Sequence, residues 1–177
     1  MAVLPTADLG IMADHLSAHE GVLQKLRAYQ KAVTNQQLRN IMRLQENIMQ
    51  SHVWVMLALI NPENNNYVEV PPLQDLATNY PSNPENNEKN SDNKWIALEV
   101  RNTANNMSST NFNSALMMQN PNVIHAHIEM ALQQHQIMKM YDEFIESMGW
   151  KFIPHATAQE QLNTYFHFQH QFQHLYS

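Results

Sequence analysis

Residues 35–62 read NQQLRNIMRLQENIMQSHVWVMLALINP. Leu38, Ile41, Met42, Ile48, Met49, His52, Val55, Met56 and Leu59 recur at steps of three and four, which gathers them on one face of an α-helix. Asn35 can cap the start by accepting an orphan backbone N–H. Asn61-Pro62 stops the helix, because the residue before a proline is pushed out of the helical region. The spacing predicts a helix over 36–60 that turns one histidine, His52, inward with its apolar stripe.

Working outward, the same periodicity recurs. Met12, Leu16, His19, Leu23, Leu26, Tyr29 or Gln30 and Val33 predict a preceding helix over 7–34. Beyond Pro62, the stretch 63–93 holds Pro71, Pro72, Pro81 and Pro84 among runs of Asn and carries no sustained period, so it reads as a long loop suited to a crossover. A third helix is expected over 93–119, with Trp95, Ile96, Val100, Met107, Phe112, Leu116 and Met117 as its apolar set. Asn120-Pro121 is a helix start, and the fourth helix should run to Met148, where Gly149 can adopt a left-handed cap. Thr157 and Glu160 have capping-box spacing. After them Leu162, Tyr165, Phe168, Phe172 and Leu175 line a short fifth helix. The expectation is an all-α single domain, 1–177, made of a first hairpin (7–61), a crossover (62–92), a second hairpin (93–149) and an aromatic C-terminal helix (157–176).

Composition narrows the chemistry. The 177 residues carry 10 Lys and Arg against 16 Asp and Glu, a formal charge of −6, which offers no basic surface for nucleic acid. Charged residues are only 15 % of the chain, and the polar surface comes instead from 21 Asn and 16 Gln. With no Cys, disulfides, thiol catalysis and Cys-type metal sites are excluded, so a metal would need His, Asp or Glu. Three Gly cannot form a phosphate-cradling loop. No segment has the length and apolarity to cross a bilayer, and residues 1–10 lack the pattern of a secretion signal. A protein made in the cytosol, without membrane insertion, is therefore expected.

A shift of 83 residues aligns the two halves: Glu46 falls on Glu129, Gln50 on Gln133, His52 on His135 and Pro71 on Pro154. One hairpin cannot bury its stripe alone, so a duplicated hairpin predicts a four-helix bundle. On this register His52 and His135 occupy equivalent inward positions.

The run from His15-Leu16 through Leu38-Arg39-Asn40, with the long helix behind it, and the exit Met148-Gly149-Trp150-Lys151-Phe152-Ile153-Pro154 resemble the spore coat protein F family of endospore-forming bacteria. The resemblance covers about residues 12–161. It implies a ferritin-like four-helix bundle and a non-enzymatic, structural place in the proteinaceous coat, made in the mother-cell cytoplasm and then laid on the spore. Other coat proteins would be its partners, with a homo-oligomer as a further state. The resemblance supplies no catalytic residues and no cofactor.

A ferritin-like bundle raises the alternative of a metal-binding or redox protein with a degenerate di-metal site. Such sites use a Glu on each of two helices and Glu-x-x-His on each of the others. Here the positions three residues before His52 and His135 hold Met49 and Leu132, so the carboxylates are missing. The metal candidates are His19, Glu20, His52 and His135, and the preferred reading is buried histidines satisfied by hydrogen bonds. His15 with His19, His170 with His174, and His125 with Glu129 are four-residue pairs that read as surface features. The methionine stripe of Met42, Met49, Met56, Met130, Met138 and Met148 reads as adaptable core filling rather than a copper site.

Overall fold

In the computed structural model, which describes residues 3–77 and 91–175, the chain forms α1 (Thr6–Ala32), α2 (Gln36–Ile60), a one-turn α3 (Leu73–Leu76), α4 (Ser91–Ala115), α5 (Pro121–Ser147) and α6 (Ala158–Phe172), the last followed by a 3₁₀ turn, Gln173–Leu175. Local chemistry sets the ends. The Asn35 side chain accepts from the Leu38 N–H at the start of α2, and Asn120 accepts from the Asn122 and Val123 N–H groups ahead of Pro121 in α5. The C-terminus of α5 closes with Gly149 at φ 70°. Its N–H bonds to the Glu146 carbonyl, and the Trp150 N–H to that of Ile145. This is the double closure that a left-handed glycine permits. The Trp150 ring then meets Phe144 edge-on, with centroids 5.8 Å apart, and clamps the exit segment to the last turn.

Cross-helix pairs show how the four long helices run. Arg27 pairs with Glu46 and His19 lies beside His52, so α1 and α2 are antiparallel. Thr34 bonds to Asn93 and His15 to Ser114, so α1 and α4 are antiparallel. Tyr141 bonds to Gln45 and Gln133 to His52, which makes α2 and α5 antiparallel. Arg101–Asp142 and Ser108–Ala131 do the same for α4 and α5. Since α2 and α4 therefore run in the same direction, the connection between them must travel the length of the bundle. The described part of it does so: Val68 exchanges hydrogen bonds with Asn122, the Pro71 carbonyl accepts from Gln133, and the Leu76 carbonyl accepts from Asn47. The crossover thus climbs the groove between α2 and α5, with the single turn α3 interrupting the loop expected there. Its remainder, 78–90, lies outside the described residues, as does the expected end of the C-terminal helix at 176.

Two apolar clusters fill the interior. One gathers Leu26, Leu38, Met42, Ile48, Ile96, Val100, Ile137, Tyr141 and Phe144; the other gathers Met12, Met56, Met118, Val123 and Met130. All of the stripe expected on α2 is buried except Leu59, which is half-buried. For the third helix the expectation holds in part: Ile96, Val100 and Met107 are buried. Trp95, Phe112, Leu116 and Met117 are exposed, and the rest of the inward face is small or polar: Asn93, Ala97, Thr103, Ala104, Asn111 and Ser114. Small side chains there admit close packing against α5, and the larger apolar groups are displaced outward. The helix also ends at Ala115 rather than Gln119. The buried Asp8 carboxylate accepts from the Gln119 and Asn120 N–H groups, which holds that stretch as a turn.

The 83-residue register does not describe the packing. It lays the buried α1 positions Met12, His15, His19 and Leu26 on exposed Trp95, Leu98, Asn102 and Ser109. A shift of 85 lays the same four on buried Ala97, Val100, Ala104 and Asn111, while α2 matches α5 at a shift of 89, His52 falling on Tyr141. Six residues at about 100° each turn a helix face by roughly 240°, which is why the identity-based register points inward residues outward. His135 is the main casualty: it is exposed, not core.

α6 starts with the expected capping box between Thr157 and Glu160, yet none of its residues is buried. Among the described residues no helix is long and apolar enough to cross a membrane. Asp8→Ala should cost about 3 kcal/mol, because two charge-assisted hydrogen bonds are lost and two backbone amides are left unpaired. Urea unfolding followed by circular dichroism should show the midpoint falling at unchanged slope.

Candidate functional site: a buried histidine layer

Between the two apolar clusters the bundle is polar. His15 and His19 of α1, His52 of α2, Asn111 and Ser114 of α4, and His127, Gln133 and Gln134 of α5 are all buried. The four imidazoles adjoin one another: ring centroids are 5.2 Å apart for His15 and His127, 5.8 Å for His19 and His52, and 6.4 Å for His15 and His19. Helical spacing explains the pair on α1, since residues four apart share a face. The other two rings reach the layer because antiparallel packing puts the last third of α2 and the first turns of α5 at this level.

The hydrogen bonds fix where the ring protons sit. His19 Nδ1 lies 2.7 Å from the His15 carbonyl and His127 Nδ1 lies 2.8 Å from the Val123 carbonyl. A carbonyl only accepts, so both nitrogens carry the proton. His52 Nε2 is 2.9 Å from Gln133 Oε1, and the Gln133 amide is oriented by donating its Nε2 to the Pro71 carbonyl. His52 Nε2 is therefore also the protonated nitrogen. That leaves His19 Nε2, His52 Nδ1 and His127 Nε2 as bare lone pairs, each buried and without a hydrogen-bond partner. His15 bonds to the Ser114 hydroxyl through Nε2 at 2.9 Å, and its Nδ1 is likewise unpartnered.

Burial in this layer disfavours the imidazolium, and neighbouring imidazoles add to the effect for three of the rings. His52 is pushed down to about 3, with His19 and His127 as further causes. His19 and His127 are pushed down to about 4, against the opposing pull of their carbonyl hydrogen bonds. His15 is lowered for the same main reason, with Asp14 and Asn111 acting in the opposite direction. At neutral pH the layer holds four uncharged rings with lone pairs available.

Of the four metal candidates expected from sequence, the structure brings together His19 and His52. Glu20 is exposed on α1, and His135 is exposed about two turns beyond His127 on α5. The place assigned to His135 opposite His52 is taken by Gln133. His15, expected at the surface, is in the core, and His127, which sequence reasoning passed over, completes the group. The signal for His127 was its place at a step of four from Val123 and three from Met130, both apolar. His125 lies at the surface beside Tyr67, and His170 and His174 are exposed on and after α6. The hydrogen bonds expected to satisfy the core histidines satisfy only one nitrogen of each ring. Among the described residues, no group of three or more His, Asp or Glu side chains is arranged to hold a metal ion.

The unfolded chain protonates its histidines near the ordinary value of 6.5, whereas the folded layer waits until about 4 or below. The unfolded state therefore binds more protons between these limits. Stability from these groups is complete above pH 6.5 and is lost as pH falls toward 4, with a slope near pH 5 of about 4 kcal/mol per pH unit for three rings. Guanidinium unfolding at pH 7, 6 and 5 measures this, and His19→Leu should reduce the slope by roughly a third. His52→Ala should cost about 2–4 kcal/mol by opening a cavity and leaving Gln133 Oε1 without its donor, while His135→Ala should stay within about 0.5 kcal/mol. No family model matches this chain, and no curated protein or solved structure is significantly similar to it.

Proposed function

We propose that this chain is a ferritin-like, non-enzymatic structural protein of the bacterial spore coat, working through protein–protein assembly. α6 is the observation that carries the reading. It is locally specified by a capping box and presents Leu162, Tyr165, Phe168, Phe172 and Leu175 to solvent. A helix that is left exposed by the described residues of its own chain yet keeps an aromatic stripe is built to bury it elsewhere. The amide-rich, weakly charged composition supports the same reading, because such a surface can pack against like surfaces without large desolvation of charge. The resemblance to the coat protein F family supplies the setting: synthesis in the mother cell, then deposition on the spore among other coat proteins.

A fluorescent fusion followed through sporulation tests this. The full chain should form a shell around the forespore, and truncation after Ala156 should disperse it while the purified bundle melts within about 2 °C of the intact protein. A diffuse signal in vegetative cells, with none in purified spores, would sink the proposal. Unchanged assembly on truncation would remove α6 from it.

A further inference from the structure

The histidine layer has a deficit that hydrogen bonding within the bundle leaves open. His19 Nε2 and His52 Nδ1 are lone pairs on adjoining rings, both buried, and neither meets a donor. Two acceptors cannot satisfy each other; what satisfies both is either a water donating its two hydrogens or a Lewis acid accepting both lone pairs. An ion about 2 Å from each of two imidazole nitrogens holds their centroids roughly 5–6.5 Å apart, according to the angle at the metal. The 5.8 Å between His19 and His52 falls in that span. The opposite ring nitrogen of each already donates to a fixed oxygen, the His15 carbonyl and Gln133 Oε1. This is the outer hydrogen bonding that orients a metal-binding histidine.

The surroundings select among ions. The buried carboxylate of Asp8 commits both oxygens to the Gln119 and Asn120 amides. A divalent ion in the layer would therefore bring two uncompensated charges into a desolvated core, and a monovalent one meets a much smaller penalty. Thioether sulfur is plentiful: Met12, Met49, Met56 and Met130 are fully buried, each three or four residues from a histidine of the layer on the same helix. Soft sulfur and neutral imidazole suit Cu(I), and its low coordination number fits a layer in which, among the described residues, no three His, Asp or Glu side chains are arranged around one point.

We propose that His19 Nε2 and His52 Nδ1 bind a single buried Cu(I) ion, with the bare nitrogen of His127 available in the same layer. The site is independent of the coat reading and requires no redox step. Anaerobic titration of the full chain with Cu(I), against a colorimetric Cu(I) chelator, should give one bound equivalent and a raised melting temperature. His19→Gln and His52→Gln should each weaken binding at least tenfold and together abolish it, whereas His135→Gln and His170→Gln leave it unchanged. Should the core variants fail to fold by circular dichroism, copper edge absorption on the wild-type protein decides. Two or three nitrogen neighbours support the site, and four nitrogen or oxygen neighbours overturn it. Less than a tenth of an equivalent bound, one full equivalent retained in the double variant, or tighter binding of Zn(II) than of Cu(I) also overturns it.

Discussion

Four imidazoles inside a helical bundle must remain uncharged for the bundle to close, and much of the architecture follows from that requirement. A protonated ring in this layer would be desolvated among other imidazoles, and the pull of Asp14 on His15 and of Asp8 on His127 does not outweigh that burial, so the neutral form of each ring is favoured. Neutrality is arranged by giving each ring one fixed partner. For His52 this requires Gln133, which in turn is held by the Pro71 carbonyl, so the crossover connection is tied to the core through a single amide side chain. The bundle and its connection are thus coupled at the layer.

The layer also divides the hydrophobic interior. On one side lie the larger aliphatic and aromatic groups around Tyr141 and Phe144, on the other a small cluster rich in methionine. A second polar link, Tyr141 to Gln45 to Gln134, runs through the larger cluster. Polar groups of this kind fix helix register, because sliding one helix by a turn would strand several donors and acceptors at once. The antiparallel order of all four neighbouring helix pairs is consistent with these cross-links. The exposed α6 lies outside this scheme: its specification is local, and its apolar stripe is left for another surface.

Legibility differed by element. The α2 stripe could be read almost residue by residue, because its large apolar side chains recur in register and both ends carry strong signals, Asn35 and Asn61-Pro62. The Gly149 closure of α5 and the capping box of α6 were equally plain. α4 could not be read in this way. Its inward face mixes Ile96, Val100 and Met107 with Ala, Asn, Ser and Thr, while the large aromatic side chains Trp95 and Phe112 face outward, so hydropathy and burial disagree in part there. The repeat misled for a related reason: the identities at a shift of 83 record likeness of sequence, whereas packing follows shifts of 85 and 89.

The sequence by itself determined the long helices, most of their caps, the long connection and the absence of thiol chemistry, because these depend on residue type and on spacing within one segment. Only the tertiary structure decided which histidines meet. Grouping His15, His19, His52 and His127 depends on the relative rotation and height of three helices, quantities that no periodicity within a single helix contains. It also decided their chemical state, since the position of each ring proton is set by a carbonyl or amide brought to it by the fold.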